Sequence, residues 1–226
     1  MEHLLEALRL LVGENNELRQ IIVVTLRMSL CSTSISVLLG MPLGVVIGSR
    51  DFRGKKYIVR VTQTLMGLPP VVAGLIVFLL LSRSGPLGTL KLLYTINAMV
   101  IAQVTLLTPI VCGLTIAVTA VRAPLLMETC GGLGLSKKRV TAYLLYESRS
   151  QLISVLMMAF GRAIAEVGAV QIAGGNIQYK TRVMTTAIMM ETNKGNFELA
   201  IALGVILLLI SLAVNTLAQA LQEERT

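Results

Sequence analysis

Hydrophobic positions along the chain fall into five long runs, 21–48, 61–81, 95–120, 150–173 and 197–221, separated by polar and charged segments. A helix needs about 20 apolar residues to cross the hydrocarbon core of a bilayer. The pattern therefore predicts an all-α, polytopic membrane protein with five transmembrane helices. Ahead of the first run, Leu4, Leu5, Leu8, Leu11 and Val12 share one helical face. That stretch is too short and too charged to span. Residues 1–20 are expected to form an N-terminal helix in the interface plane, or one packed on the bundle. Residues 1–226 read as a single transmembrane domain, with no obvious linker, repeat or low-complexity tract.

Interruptions inside the runs are more informative than the runs themselves. Gly40, Gly44 and Gly48 recur every four residues on one face of the first run, which lets two helices approach closely. In the second run, Gly67-Leu68-Pro69-Pro70 removes two successive backbone donors and breaks the helical ladder within membrane depth. Such a break is tolerated where backbone is buried in protein or lines a wet cavity, so it suits a pathway-lining kink as well as a packing kink. The fourth run carries Arg162 and Glu166, four residues apart and so expected on one helical face. Arg162 lies about 18 Å along a helix begun at Ser150, near mid-membrane. A charge there costs at least about 2.5–3.5 kcal/mol on insertion scales, which pairing with Glu166 reduces. The pair serves either packing or a translocation pathway. Between the last two runs, residues 174–196 read as a long outer segment with a short helix over Thr181–Glu191.

The longest polar interruption is Ala123 to Ser150. Pro124 suits a first helical turn, and Gly131, Gly132 and Gly134 suit a sharp corner, so a helix-turn-helix is expected. Lys137, Lys138, Arg139 and Arg149 make it basic. It is either a solvated loop that only fixes orientation or a folded element that meets a partner outside the membrane.

Composition sharpens this. Of 226 residues, 54% are hydrophobic, 14% charged and 4% aromatic, and the net charge is +8. The cations cluster in loops, which fits membrane orientation and not nucleic-acid binding. The segments Arg50–Arg60 and Arg122–Arg149 carry five Lys or Arg each, against two and three in the intervening loops. This places both basic segments and the C-terminus in the cytoplasm and the N-terminus outside. Cys31, Cys112 and Cys130 lack metal-ligand spacing and read as small hydrophobes. Residues 1–20 lack the pattern of a signal peptide. His3 is the only histidine and Asp51 the only aspartate, which disfavours His-based hydrolysis and a metal site. No G-x-x-x-x-G-K-[ST] occurs, so this chain cannot by itself cradle ATP phosphates; if it takes part in ATP-driven transport, the ATPase is another chain.

Several segments carry a family resemblance. Glu128-Thr129-Cys130-Gly131-Gly132-Leu133-Gly134 is similar to the E-A-A-x-x-x-G pattern of ABC importer permeases at its Glu and final Gly, with two other small residues at the Ala positions. The usual downstream proline is absent, since residues 144–147 read LLYE. Gly67 to Gly74, Ser82 to Gly88 and Phe160 to Val170 resemble the molybdate and tungstate permeases. Gly174-Gly175-Asn176-Ile177 and Thr181 to Ile188 resemble the tungstate branch. The resemblance implies a type I ABC importer permease fold that moves a tetrahedral oxyanion, tungstate first, then molybdate, sulfate or phosphate. It implies a second copy of the chain, two cytoplasmic ATPase subunits holding ATP and magnesium, and an extracytoplasmic oxyanion-binding protein. This chain itself is expected to be non-catalytic and to bind no cofactor. Residues 123–149 become the cytoplasmic coupling loop, with 128–134 meeting the ATPase and the adjacent cations meeting its acids or lipid headgroups. Arg162, Glu166, Pro69, Pro70 and Asn176 become pathway candidates. A passive channel or scaffold without an ATPase is the reading from a different class.

Overall fold

The computed structural model describes residues 16–133 and 135–223; the amphipathic stretch His3–Val12 and Gly134 lie outside them. No β-strand occurs among the described residues. Helix α1 runs Asn16–Ser49, α2 Lys55–Met66 and α3 Pro70–Leu81. A single 3-10 turn at Gly88–Leu90 precedes α4, Ile96–Gly132. Then follow α5 (Lys137–Glu147), α6 (Arg149–Ile164), α7 (Gly168–Gly174), α8 (Met184–Asn193) and α9 (Phe197–Glu223).

The spine of the fold is the pair α1–α4, which share the largest helix–helix contact. Thr25, Ser29, Ser32, Ser36, Gly40 and Gly44 are buried along one side of α1. Small side chains at this spacing let the two backbones come close. A Cβ on Gly44 would lie 2.5 Å from Thr115 Cβ, and one on Gly40 would lie 2.8 Å from the Thr108 carbonyl oxygen. Around this spine, Ala73, Val77 and Leu81 of α3 pack with Ala98, Ala102 and Leu106 of α4 and with Ala169 and Ala173 of α7. Leu18 and Ile21 of α1, Met184 and Ala187 of α8, and Leu203 and Ile206 of α9 form a second core. Val111 of α4 joins Val155 and Ala159 of α6 in another.

Three helices are long and apolar enough to cross a membrane, or up to five if each of two bent pairs counts as one span. The most apolar window of α9 is only 22% buried within the protein, so its outer surface is suited to lipid.

The second run is broken at Gly67–Pro69, as the two prolines led us to expect, and bends by 96° between α2 and α3. The structure departs from the sequence expectations in three other places. The fourth run is also broken, by 55° between α6 and α7, although residues 165–167 contain no proline. The third run does not stop at residue 120: α4 continues to Gly132, with Pro124 in its interior. Proline holds φ at a helical value, and Ala123, Leu125, Leu126, Met127 and Glu128 around it favour helix, so the helix continues despite the lost backbone bond and the crowding of the Ala120 carbonyl. The polar stretch from residue 123 is therefore half helix extension and half separate helix α5. Finally, α8 begins at Met184 and is drawn into the bundle. Val183 to Ala187 are buried, so this segment is not a solvent-exposed loop.

Candidate translocation and coupling sites

The two breaks meet. A Cβ on Gly168, at the start of α7, would lie 3.0 Å from Val71 Cγ2 and 3.6 Å from Pro70 Cβ. One on Gly74 of α3 would lie 2.8 Å from the Ala169 Cα. Glycine at these positions lets α3 and α7 touch backbone to backbone. The Pro69–Pro70 break, with Pro69 exposed, thus lies beside the break that carries Glu166.

Glu166 sits within that second break, not on a continuous helical face. It is buried, at 4% side-chain exposure, while Arg162 is 45% exposed. Arg162 Nη2 lies 3.3 Å from Glu166 Oε2. Glu166 Oε1 also accepts from the backbone amides of Val167, at 3.1 Å, and Ala169, at 3.3 Å. The carboxylate therefore satisfies the free amides at the start of α7 and faces the positive end of its peptide dipoles. Two other elements fix the same corner. Thr185 Oγ1 of α8 donates to the Glu166 carbonyl at 2.8 Å. Gln103 Nε2 of α4 donates to the Ala163 carbonyl at 2.7 Å, while its own Oε1 accepts from Ser32 Oγ of α1 at 2.5 Å.

The result is a rigid interruption held by α1, α4 and α8. The adjoining surface is open: Gly161 and Ala165 are exposed, and a Cβ on Gly161 would meet nothing within 4 Å. Arg162 presents a half-covered guanidinium there, partly neutralised by its neighbour. Such a group attracts an anion without the fully unpaired field that would hold it fast.

Asn176 lies at the other end of α7 with φ of 49°. Its Oδ1 accepts from Thr186 Oγ1 at 3.0 Å. The consecutive residues Thr185 and Thr186 thereby tie α8 to both Glu166 and Asn176. Nearby, Arg182 Nη1 pairs with Glu17 Oε1 at 2.8 Å, joining the start of α1 to the segment before α8. Burial pushes the Glu191 carboxyl up, but hydrogen bonds from Lys194 and Asn196, with the charges of Lys194 and Arg182, outweigh it and hold the group low.

Residues 128–133 form the end of α4 and the turn beyond it. Glu128, Thr129 and Leu133 are exposed, while Cys130 is buried. The helix ends across Gly131 and Gly132, and the Leu135 amide bonds back to the Cys130 carbonyl at 3.1 Å. After α5, the chain turns through buried Ser148 and starts α6 at once. Arg122 of α4 fastens this corner, donating to the Glu147 carbonyl and, at 2.8 Å, to Gln151 Oε1. A serine turn with an arginine staple thus stands where the resemblance led us to expect a proline.

The sequence reading missed Gln103, Thr185 and Arg122. The signal for Gln103 was present: it is the single glutamine in the otherwise uncharged run 95–120. A buried amide in a membrane helix requires partners. Thr185 and Arg122 act through tertiary contacts that no local pattern announces.

Two helix breaks thus meet in this bundle, and an exposed helical corner follows at the end of α4. The profile of the family described as "Binding-protein-dependent transport system inner membrane component" matches residues 40–225, and the chain belongs to that family. It is accordingly a multi-pass inner-membrane permease of the ABC-importer type. It is 40% identical over 228 residues to the tungstate uptake system permease protein TupB of Peptoclostridium acidaminophilum, covering 99% of this chain and 100% of that one. It is 41% identical over 199 residues to a probable anion ABC transporter permease protein of Haloferax volcanii, covering 86% of each chain. A sulfate transport system permease protein CysW of Synechocystis is more distant, at 28% identity over 210 residues, covering 89% of this chain and 75% of that one.

Proposed function

We propose that this chain is the permease of an ATP-driven importer that moves tungstate into the cytoplasm by alternating access. The observation that carries the reading is the full-length similarity to a tungstate uptake permease, against a much weaker one to sulfate permeases. The half-exposed Arg162 beside two helix breaks supports it, because tungstate is a dianion that needs a positive but weakly binding passage. Two copies of the chain bring two Arg162 groups to the pathway, with Glu166 moderating their field. Pro69 and Pro70 shape the neighbouring wall, and Asn176 with Thr186 lies toward the entry. ATP and magnesium belong to two cytoplasmic ATPase subunits, which take up the exposed corner at Glu128–Leu133. An extracytoplasmic binding protein delivers the ion, and the N-terminus lies outside with the C-terminus in the cytoplasm. The test is ATP hydrolysis by the reconstituted complex with its binding protein, titrated with tungstate, molybdate and sulfate. Tungstate is expected to stimulate at the lowest concentration; equal stimulation by sulfate, or none by any oxyanion, overturns the reading.

A further inference from the structure

Helix α2 carries an exposed surface that contains none of the residues assigned above to the pathway or the coupling corner. Its twelve residues divide into three faces. Lys55, Val59, Thr62 and Met66 point toward the protein; the Met66 sulfur lies against Gly113 of α4, where a Cβ would clash with it. Tyr57, Ile58, Val61 and Leu65 form a second, apolar face that is exposed, from 71% at Tyr57 to 41% at Leu65. Lys56, Arg60, Gln63 and Thr64 form a third, polar and cationic face, also exposed. Beside it is an open depression of about 560 Å³ lined by residues that include Asp51, Phe52, Lys55, Lys56, Arg60 and Gln63.

Charge complementarity identifies the occupant. The segment Arg50–Arg60 holds five cations against the single carboxylate of Asp51. That carboxylate is spent on Lys55, 3.0 Å away, whose Nζ also reaches the Gly48 carbonyl at 3.3 Å. Lys56 and Arg60 have no acidic partner among the described residues. The helix follows the basic turn after α1, and the chain bends by 96° between it and α3. Its apolar and cationic faces lie side by side. An amphipathic basic helix of this kind suits acyl chains on one face and anionic headgroups on the other. Apposition of two α2 helices from two copies of the chain would instead bring like charges together.

The geometry points to α2 and its preceding turn as a binding seat for an anionic phospholipid of the cytoplasmic leaflet. The phosphate sits against Lys56 and Arg60 in the depression, and the acyl chains lie along Tyr57, Val61 and Leu65. This seat anchors the first half of the broken second span, so that α3 and the Pro69–Pro70 break keep their place when the bundle moves.

The chain contains no tryptophan, which permits a clean reporter. Full-length Val61→Trp, and separately Ile58→Trp, is reconstituted in phosphatidylcholine vesicles. Acyl-brominated phosphatidylglycerol or acyl-brominated phosphatidylcholine is then added at equal mole fraction, and fluorescence quenching is read. Phosphatidylglycerol is expected to quench with an apparent affinity several-fold higher, falling as salt rises. Each neutralised cation is expected to remove up to about fivefold of that preference. Lys56→Gln with Arg60→Gln in the reporter background brings the two lipids close to equality, while Lys91→Gln on the outer loop leaves the preference unchanged. Equal quenching by both lipids before neutralisation, or a preference that survives it, overturns the inference. Absence of quenching by either lipid in both reporters also overturns it, because the face is then covered by protein.

Discussion

Replacing Glu166 tests the corner on which the proposed pathway rests. Glu166→Gln keeps an oxygen where the Val167 and Ala169 amides donate, at 3.1 and 3.3 Å, but removes the charge. Bonds to a charged acceptor exceed neutral ones by about 1 kcal/mol each. The ion pair adds about 0–1 kcal/mol, discounted because Arg162 is half in the open. The expected loss is therefore about 2 kcal/mol. Glu166→Ala removes the acceptor as well and leaves two buried amides and a guanidinium without it, for about 3–5 kcal/mol. In a chain of 226 residues, each kcal/mol moves the melting temperature by about 2–4 °C. Thermal unfolding of the purified assembly should thus fall by about 5 °C for Gln and about 10 °C or more for Ala. Tungstate turnover of the Gln variant should also fall at a temperature where it is folded, because the Arg162 field is no longer moderated and release slows. Unfolding of the Ala variant at the unmutated temperature would refute the capping role. Turnover of the Gln variant at the unmutated rate would refute the electrostatic one.

Three further outcomes follow from the packing. Gly44→Ala places a methyl 2.5 Å from Thr115 Cβ. It should cost about 1–3 kcal/mol in thermal unfolding, whereas Gly204→Ala, with nothing within 4 Å, should be tolerated. Gln103→Leu orphans the Ala163 carbonyl and should cost about 1–3 kcal/mol; hydrogen exchange should then rise at residues 163–167 before it rises elsewhere. The Glu191 carboxyl is held low in the folded state. Its charged form therefore stabilises the fold above the unfolded carboxylate value of about 4.3, and that contribution is lost as pH falls through the lower folded value. The melting temperatures of the unsubstituted chain and of Glu191→Gln should differ at neutral pH and converge once pH has fallen through the lowered folded value.

What could be read from the sequence follows from the range of the forces involved. The glycine spacing on α1 was legible because helical period alone puts Gly40, Gly44 and Gly48 on one face. The break at Pro69–Pro70 was legible because proline acts locally. The break at residues 165–167 was not, because it depends on Gln103 from α4 and Thr185 from α8, each distant in sequence. Arg162 and Glu166 were recognised as a pair by spacing, yet Glu166 owes its place to the amides of α7 and not to a shared helical face. Pro124 misled for the converse reason: it suits a first helical turn, yet strong helix formers around it carry α4 straight through. The burial of Val183 to Ala187 was hidden by the polar residues that flank them, and it emerges only where α8 meets α1 and α9.

The central claim is oxyanion import through this chain. The direct measurement is tungsten accumulated inside proteoliposomes whose permease carries its ATPase on the luminal side, with ATP enclosed, the binding protein and tungstate added outside, and the element counted by mass spectrometry. The account predicts accumulation against a gradient that requires ATP and the binding protein, that exceeds sulfur uptake from sulfate, and that falls sharply in Arg162→Gln. Accumulation independent of ATP, or undiminished in Arg162→Gln, would contradict it.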